Sequence, residues 1–295
     1  MRNRLPFLSQ RLFNVPLAIH PRKAEIVVGA LAERLGITSL NRLTPNALRP
    51  DAMDWFDDDD YSDRDAVSPD MGYDVVAGVA VIPVHGTLVQ KLGSVRPYSG
   101  MTGYDGIRTA FLCALDDPAA QSVVFDIDSP GGECAGMFDL ADAVYAARGE
   151  KPIWSILNEM AFSAAYALAS ATDYITVPRT GGTGSIGVVA CHVDFSRALE
   201  GAGLTVTFIT YGARKAEGAP ELPLSKDALE HFQADIDTLG DLFVETVARN
   251  RGLAASVVRG TEAATFLGQA GVTLGLADAV MAPHEAFRAL RAGLT

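Results

Sequence analysis

Ser163 stands where an apolar run, Ile153 to Leu157, gives way after a short polar step to a stretch of small helix formers, Ala164 to Ser170. A serine in the first turn of such a helix can present its hydroxyl to the crevice at the carboxyl ends of the strands. The small Ala164 and Ala165 would let a substrate backbone approach it. The same residue type is a favoured helix N-cap, and this segment alone does not separate the two roles. Upstream, Phe125-Asp126-Ile127-Asp128-Ser129-Pro130-Gly131-Gly132 leaves an apolar run and turns through paired glycines toward a helix near Gly136. Backbone N–H groups at a strand-to-helix turn can hold the negative oxygen of a tetrahedral intermediate. An ordinary tight βα turn is the competing reading.

Two further segments carry polar groups of interest. Thr180-Gly181-Gly182-Thr183-Gly184-Ser185-Ile186-Gly187-Val188 is glycine-rich, but it lacks a Gly-Lys-Ser/Thr ending and leads into a strand pattern, which argues against phosphate binding. Tyr211 to Gly218 is a polar loop containing Lys215, which nothing in its neighbourhood distinguishes from a solvated charge.

The elements that must position these residues follow from periodicity. From Val75 onward, β-rich runs alternate with helical patterns, the signature of a layered α/β domain with a largely parallel sheet. Strands are predicted at Val75 to Val84, Ser122 to Ile127, Ile153 to Leu157, Tyr174 to Val177, Ile186 to Val193 and Thr205 to Ile209. Helices are predicted at Tyr104 to Leu115, Gly136 to Ala147, Ser163 to Ala171, Phe195 to Ala202 and Lys226 to Arg251. Before this domain, residues 1–50 form an N-terminal extension with helical spacing over residues 21–35. Residues 51–71 form an acidic flexible linker, with Asp57, Asp58, Asp59 and Asp60 in a row. The main domain spans residues 72–295.

At 295 residues and 48% hydrophobic, the chain can bury a full core without staples. Cys113, Cys134 and Cys191 form no Cys-x-x-Cys pair and no disulfide framework, and no His/Asp/Glu spacing proposes a metal. His20, His85, His231 and His284 read as scattered residues without partners. A net charge of −12 argues against nucleic acid as a partner. No stretch is long and apolar enough for a membrane span, and the expectation is a soluble, cytoplasmic protein.

In order along the chain, Ser129-Pro130-Gly131-Gly132, the helix carrying Ser163, Gly184-Ser185-Ile186-Gly187 and the late Lys215 resemble the signal peptide peptidase A family of serine peptidases. The resemblance covers residues 75–285. It implies a crotonase/ClpP-like layered fold, with a mainly parallel sheet flanked by helices, and a Ser/Lys dyad. Ser163 would be the nucleophile, Lys215 its general base and Ser185 a hydroxyl that orients the lysine. The amides of Gly131 and Ala164 would form the oxyanion hole, with Gly132 and Ala165 against the substrate and no cofactor. The separation of 52 positions between Ser163 and Lys215 agrees with this. Many cellular members have Ser-Gly-Gly where this chain has Ser163-Ala164-Ala165, and they begin with a membrane anchor. The N-terminal extension and acidic linker look instead like the bacteriophage branch, the prohead or capsid-maturation proteases called minor capsid protein C. That branch implies scaffold, capsid or portal proteins as substrates, self-cleavage, a location in the host cytoplasm or procapsid, and a closed homo-oligomer. The apolar stripe Leu229, Phe232, Ile236, Leu239, Leu242, Phe243 and Val247 would help to build its contacts.

Three rivals are weighed against this. A Ser163, His192, Asp194 triad would need His192 and Asp194 to meet, although they project from one face of a predicted strand about 7 Å apart. An acyl-CoA hydratase or isomerase shares the fold and would need an acidic base such as Glu159. A catalytically idle procapsid scaffold component would have no reason to keep Ser163, Ser185 and Lys215 together.

Overall fold

The computed structural model describes residues 14–21, 72–92 and 100–294. The readings of residues 22–35 as helical and of residues 51–71 as a linker lie outside the described residues.

A short strand, β1 (Leu17–Ile19), precedes the domain. β2 (Asp74–Val76) and β3 (Val79–His85) form an antiparallel hairpin where one strand was expected, because Ala77 and Gly78 both take positive φ and reverse the chain. β4 (Thr87–Val89), β5 (Met101–Gly103) and α1 (Tyr104–Asp116) follow. Next come β6 (Ser122–Ser129), β7 (Gly131–Glu133), α2 (Met137–Ala146), β8 (Ile153–Phe162) and α3 (Ala164–Ser170). The remainder is β9 (Tyr174–Val177), β10 (Gly182–Gly184), α4 (Ser196–Gly201), α5 (Lys226–Arg251), α6 (Ala255–Arg259), β11 (Thr265–Leu267), α7 (Gln269–Thr273), β12 (Ala279–Val280) and α8 (Pro283–Ala292).

In the main sheet β3, β6, β8 and β9 run parallel, and β10 pairs parallel with β8. The central strands are buried on both faces, which explains their near-continuous apolar runs. Alternate residues serve opposite layers. Val123, Phe125 and Ile127 of β6 join Ile82, Val84, Ile153 and Leu157 in the large core under α1, α2 and α3. Val124, with Val79 and Ile156, meets Ala286, Phe287 and Leu290 of α8 on the other face. A second sheet, in the order β1-β7-β4-β5, stands beside the carboxyl ends of the first.

Two predicted strands are not formed. Residues 186–193 form no strand and carry isolated bridge residues, Val189, which meets Leu17, and Cys191. Residues 205–209 are exposed and unpaired, with Ile209 96% accessible. Their β-branched and aromatic composition fits a pleated surface, but among the described residues no strand pairs with them, and such propensity is expressed only against a neighbour.

Candidate active site

The chemistry-bearing residues cluster where β3, β6 and β8 end. The register between β6 and β8 shifts between Ile127 and Ser129, so that Ser129 pairs with Ala161 and β8 is carried on to Phe162. Ser163 then turns the chain into α3 with φ 55° and ψ −120°, a sparsely populated conformation for a residue with a side chain. Such a conformation costs about 1–3 kcal/mol and persists only where its surroundings enforce it. Here they do: the Ser163 N–H donates to the Gly184 carbonyl at 2.9 Å, and the Ser163 carbonyl accepts from Ala167 N–H at 3.0 Å. α3 is buried along its whole length, its alanines packing tightly among the sheet and neighbouring helices. Its C-terminal carbonyls are held by Arg148, which donates to Ala171, Ser170 and Thr172 at 2.8, 3.0 and 2.5 Å.

Gly131 and Gly132 do not form a tight turn straight into α2; they belong to β7. At Gly131, φ is +97°, and a Cβ there would lie 2.9 Å from the Phe162 carbonyl oxygen and 3.0 Å from the Ala164 nitrogen. The missing side chain is what leaves room beside the Ala164 amide. A Cβ on Gly132 would strike the Leu88 backbone. The Gly131 N–H donates to Ser129 Oγ at a long 3.2 Å, while that hydroxyl donates to Gly86 carbonyl at 2.6 Å. A charged oxyanion is the stronger acceptor and can displace this contact.

Gly184 pairs with Phe162 in parallel register, so Ser185 and Ser163 follow at adjacent strand ends. Ser185 also has φ 55° and is buried, its N–H donating to the Ala264 carbonyl at 2.8 Å. The Ser163 hydroxyl is 1% exposed as part of its residue and donates to the Gly187 carbonyl at a long 3.4 Å. The fold thus gathers Gly131, Gly132, Ser163, Ala164, Ala165 and Ser185. Lys215 stands on an exposed turn, its N–H donating to the Gly212 carbonyl at 3.2 Å.

The competing constellations do not assemble. Asp194 accepts from the Ser196 N–H at 2.8 Å at the start of α4, and His192 Nδ1 lies 3.0 Å from Asn14 Oδ1. Glu159 is exposed and accepts from the Thr180 hydroxyl. Burial pushes the Cys134 thiol up to about 12, which leaves it an inert part of the core.

The sequence reading missed a buried pair. His85 is not without a partner: its Nε2 lies 3.1 Å from Asp126 Oδ2, with Asp128 nearby at the same strand ends. His231 likewise meets Glu217, at 3.1 Å, and His20 stacks on Phe162. Burial lowers the His85 pKa, but the hydrogen bond and charge of Asp126, then the charge of Asp128, outweigh it and leave the imidazole above its ordinary 6.5. Below that value the ring is protonated in both folded and unfolded chains and the pairing is fully felt. As pH rises through the folded-state pKa, the proton and its stabilisation are lost. Burial also raises Asp126, a shift acting in the same sense from 3.8 upward. The melting temperature is therefore expected to fall on going from about pH 6 to about pH 8.5, and to fall less in His85→Gln. Equal slopes in thermal melts of the two proteins would show that the pair does not titrate in this window.

Among the described residues no His/Cys/Asp/Glu group is arranged to hold a metal, and no helix is long and apolar enough to cross a membrane.

This geometry can be set beside known proteins. The chain is 40% identical over 294 residues to the head-tail preconnector protein GP5 of Enterobacteria phage P21, covering all of this chain and 58% of that protein. It is 39% identical over 301 residues to the capsid assembly protease C of Escherichia phage lambda, covering all of this chain and 67% of that protein. A putative signal peptide peptidase SppA of Enterococcus faecium is 28% identical over 181 residues, 60% of this chain and 52% of the relative. The profile of peptidase family S49 matches residues 146–294, a span that runs from the end of α2 through Ser163, Ser185 and Lys215 to α8. With that match, two extensive phage relatives and a mainly parallel α/β architecture of the ClpP/crotonase kind, the chain belongs to peptidase family S49.

Proposed function

We propose that this protein is a serine endopeptidase of phage capsid maturation. It would act through Ser163 as nucleophile and Lys215 as general base on scaffold, capsid or portal proteins, and on itself. The observation that carries the reading is the corner at Ser163: a strained serine between a parallel strand and a buried helix, with the Ala164 nitrogen beside a point that any side chain at position 131 would fill. Ser163 Oγ attacks the substrate carbonyl and gives its proton to Lys215. The oxygen that becomes negative is held by the Gly131 and Ala164 amides, and the peptide C–N bond then breaks as Lys215 passes the proton to the departing amine. Water, losing a proton to Lys215, attacks the acyl group and releases it as a carboxylic acid while the proton returns to Ser163 Oγ. Ser185, at the neighbouring strand end, orients the lysine. The phage relatives, one of them named a capsid assembly protease, support the substrate class. A location in the host cytoplasm, or within the procapsid, goes with that reading.

Lysine serves as a base only when desolvation makes it neutral. Lys215 is exposed in the single chain, so the surface that covers it belongs to the substrate or to a second copy of the protein. Closed assembly supplies such a surface, and it is part of the proposal.

Treatment of the purified protein with a fluorophosphonate probe is expected to place a single adduct on Ser163, seen by peptide mass spectrometry, and none on Ser163→Ala. Labelling at another residue, or no labelling even when residues 1–60 have been cut away and removed, would sink the assignment. A hydratase of the same fold would show no adduct.

A further inference from the structure

Residues 14–20, a turn at Asn14 and Val15 followed by the strand β1, run alongside the site just described. On one side, β1 pairs antiparallel with β7, Ala18 lying opposite Gly132, and the His20 N–H donates to the Pro130 carbonyl at 2.8 Å. On the other side, Leu17 exchanges two backbone hydrogen bonds with Val189, both 2.8 Å, and the Asn14 N–H donates to the Cys191 carbonyl at 2.9 Å. The Asn14 side chain donates to the Gly218 carbonyl at 2.7 Å, just beyond the Lys215 turn. The His20 ring stacks on Phe162, with ring centres 5.1 Å apart, next to Ser163. One short strand therefore touches the glycine strand, the residue before the serine, the segment after Ser185 and the segment after Lys215.

A strand held on both edges inside a cleft is how an extended peptide is gripped by β-augmentation. The Ala18 carbonyl oxygen and the Ala164 nitrogen both lie within 3.0 Å of the point that a Cβ on Gly131 would occupy. Ala18 itself is fully buried. Beyond Pro16 the cleft continues as a cavity of about 340 Å³ lined by Cys134, Phe138 and Leu239. Ser163, next to the Phe162 ring on which His20 stacks, is 1% exposed.

We propose that the segment Asn14–His20 occupies the peptide-binding groove in place of substrate, so that the folded chain is self-inhibited until the segment leaves. Substrate then enters antiparallel to Gly131–Glu133, with a small side chain where Ala18 now packs. The inference rests on the peptidase reading for its meaning, but its test does not depend on catalysis. A segment tethered beside its own groove acts at an effective concentration of about a millimolar and must be displaced before anything else binds.

The test uses the full chain carrying Ser163→Ala and a fluorescent peptide of residues 14–21, followed by polarisation. The peptide is expected to bind weakly to this protein and about tenfold or more tightly once Ala18→Arg is added to evict the resident segment. A labelled peptide with arginine in place of alanine at position 18 should bind to neither. Should Ala18→Arg fail to give a cooperative melt, a specific protease site inserted between residues 60 and 61 lets the folded chain be cut and residues 1–60 removed, with the same gain expected. Equal affinity before and after eviction, or no binding after it, overturns the proposal. Failure of Ser163 to react with a fluorophosphonate even after residues 1–60 have been cut away and removed would overturn the peptidase reading instead.

Discussion

Ser163→Ala and Lys215→Ala are each expected to reduce peptide-bond hydrolysis by about 10⁴-fold or more while leaving the fold intact, because groups that act as one catalytic unit fail together. Joining them in one protein should therefore add little to either single loss. Neither side chain supports the core: Lys215 lies on an exposed turn, and the Ser163 hydroxyl makes one long contact, to the Gly187 carbonyl. The strained backbone at Ser163 is held by main-chain bonds that alanine keeps. His192→Ala should remain active, since that ring contacts Asn14 and not a carboxylate that could orient it. Steady-state cleavage of a quenched peptide, with melting curves on every variant, decides the matter. Loss of activity in His192→Ala with survival in Lys215→Ala would reverse the assignment of the base.

The residues nearest this chemistry were legible because they stand where regular elements meet. β9 and α5 have the bounds their patterns predict, and α3 begins one residue after Ser163, as a nucleophile at a helix start requires. What the sequence concealed depends on distance along the chain. β10 is a three-residue strand containing two glycines, with no β-forming composition to reveal it. His85 and Asp126 are brought together only because β3 and β6 are parallel neighbours. The available signal was a carboxylate inside an apolar run buried on both faces, which requires a partner. The pairing of residues 17–19 with β7 had no periodic signature, because three residues are too few to establish one.

The second large effect concerns assembly. Thr205 to Ile209 reads as a strand yet finds no neighbour among the described residues, and Phe208 and Ile209 are exposed just before the turn that carries Lys215. α5 is divided in the same way: Phe243 and Val247 are buried in the core, while Leu229 and Leu242 remain exposed. An exposed apolar segment and an apolar helix face are surfaces that a second copy of the chain can cover. Covering them would also take Lys215 out of water, which the base role proposed for it demands. Phe208→Asp with Ile209→Asp is therefore expected to give a folded monomer whose peptidase activity falls by about 10²-fold or more, the contribution of a general base. The Ser163→Ala protein, unable to digest itself, should by contrast show a multiple of the single-chain mass in light scattering. A wild-type protein that is monomeric at micromolar concentration with full activity would end this account, as would a monomeric double variant that cleaves as fast as the parent, since either result would mean that one chain alone supplies everything Lys215 needs.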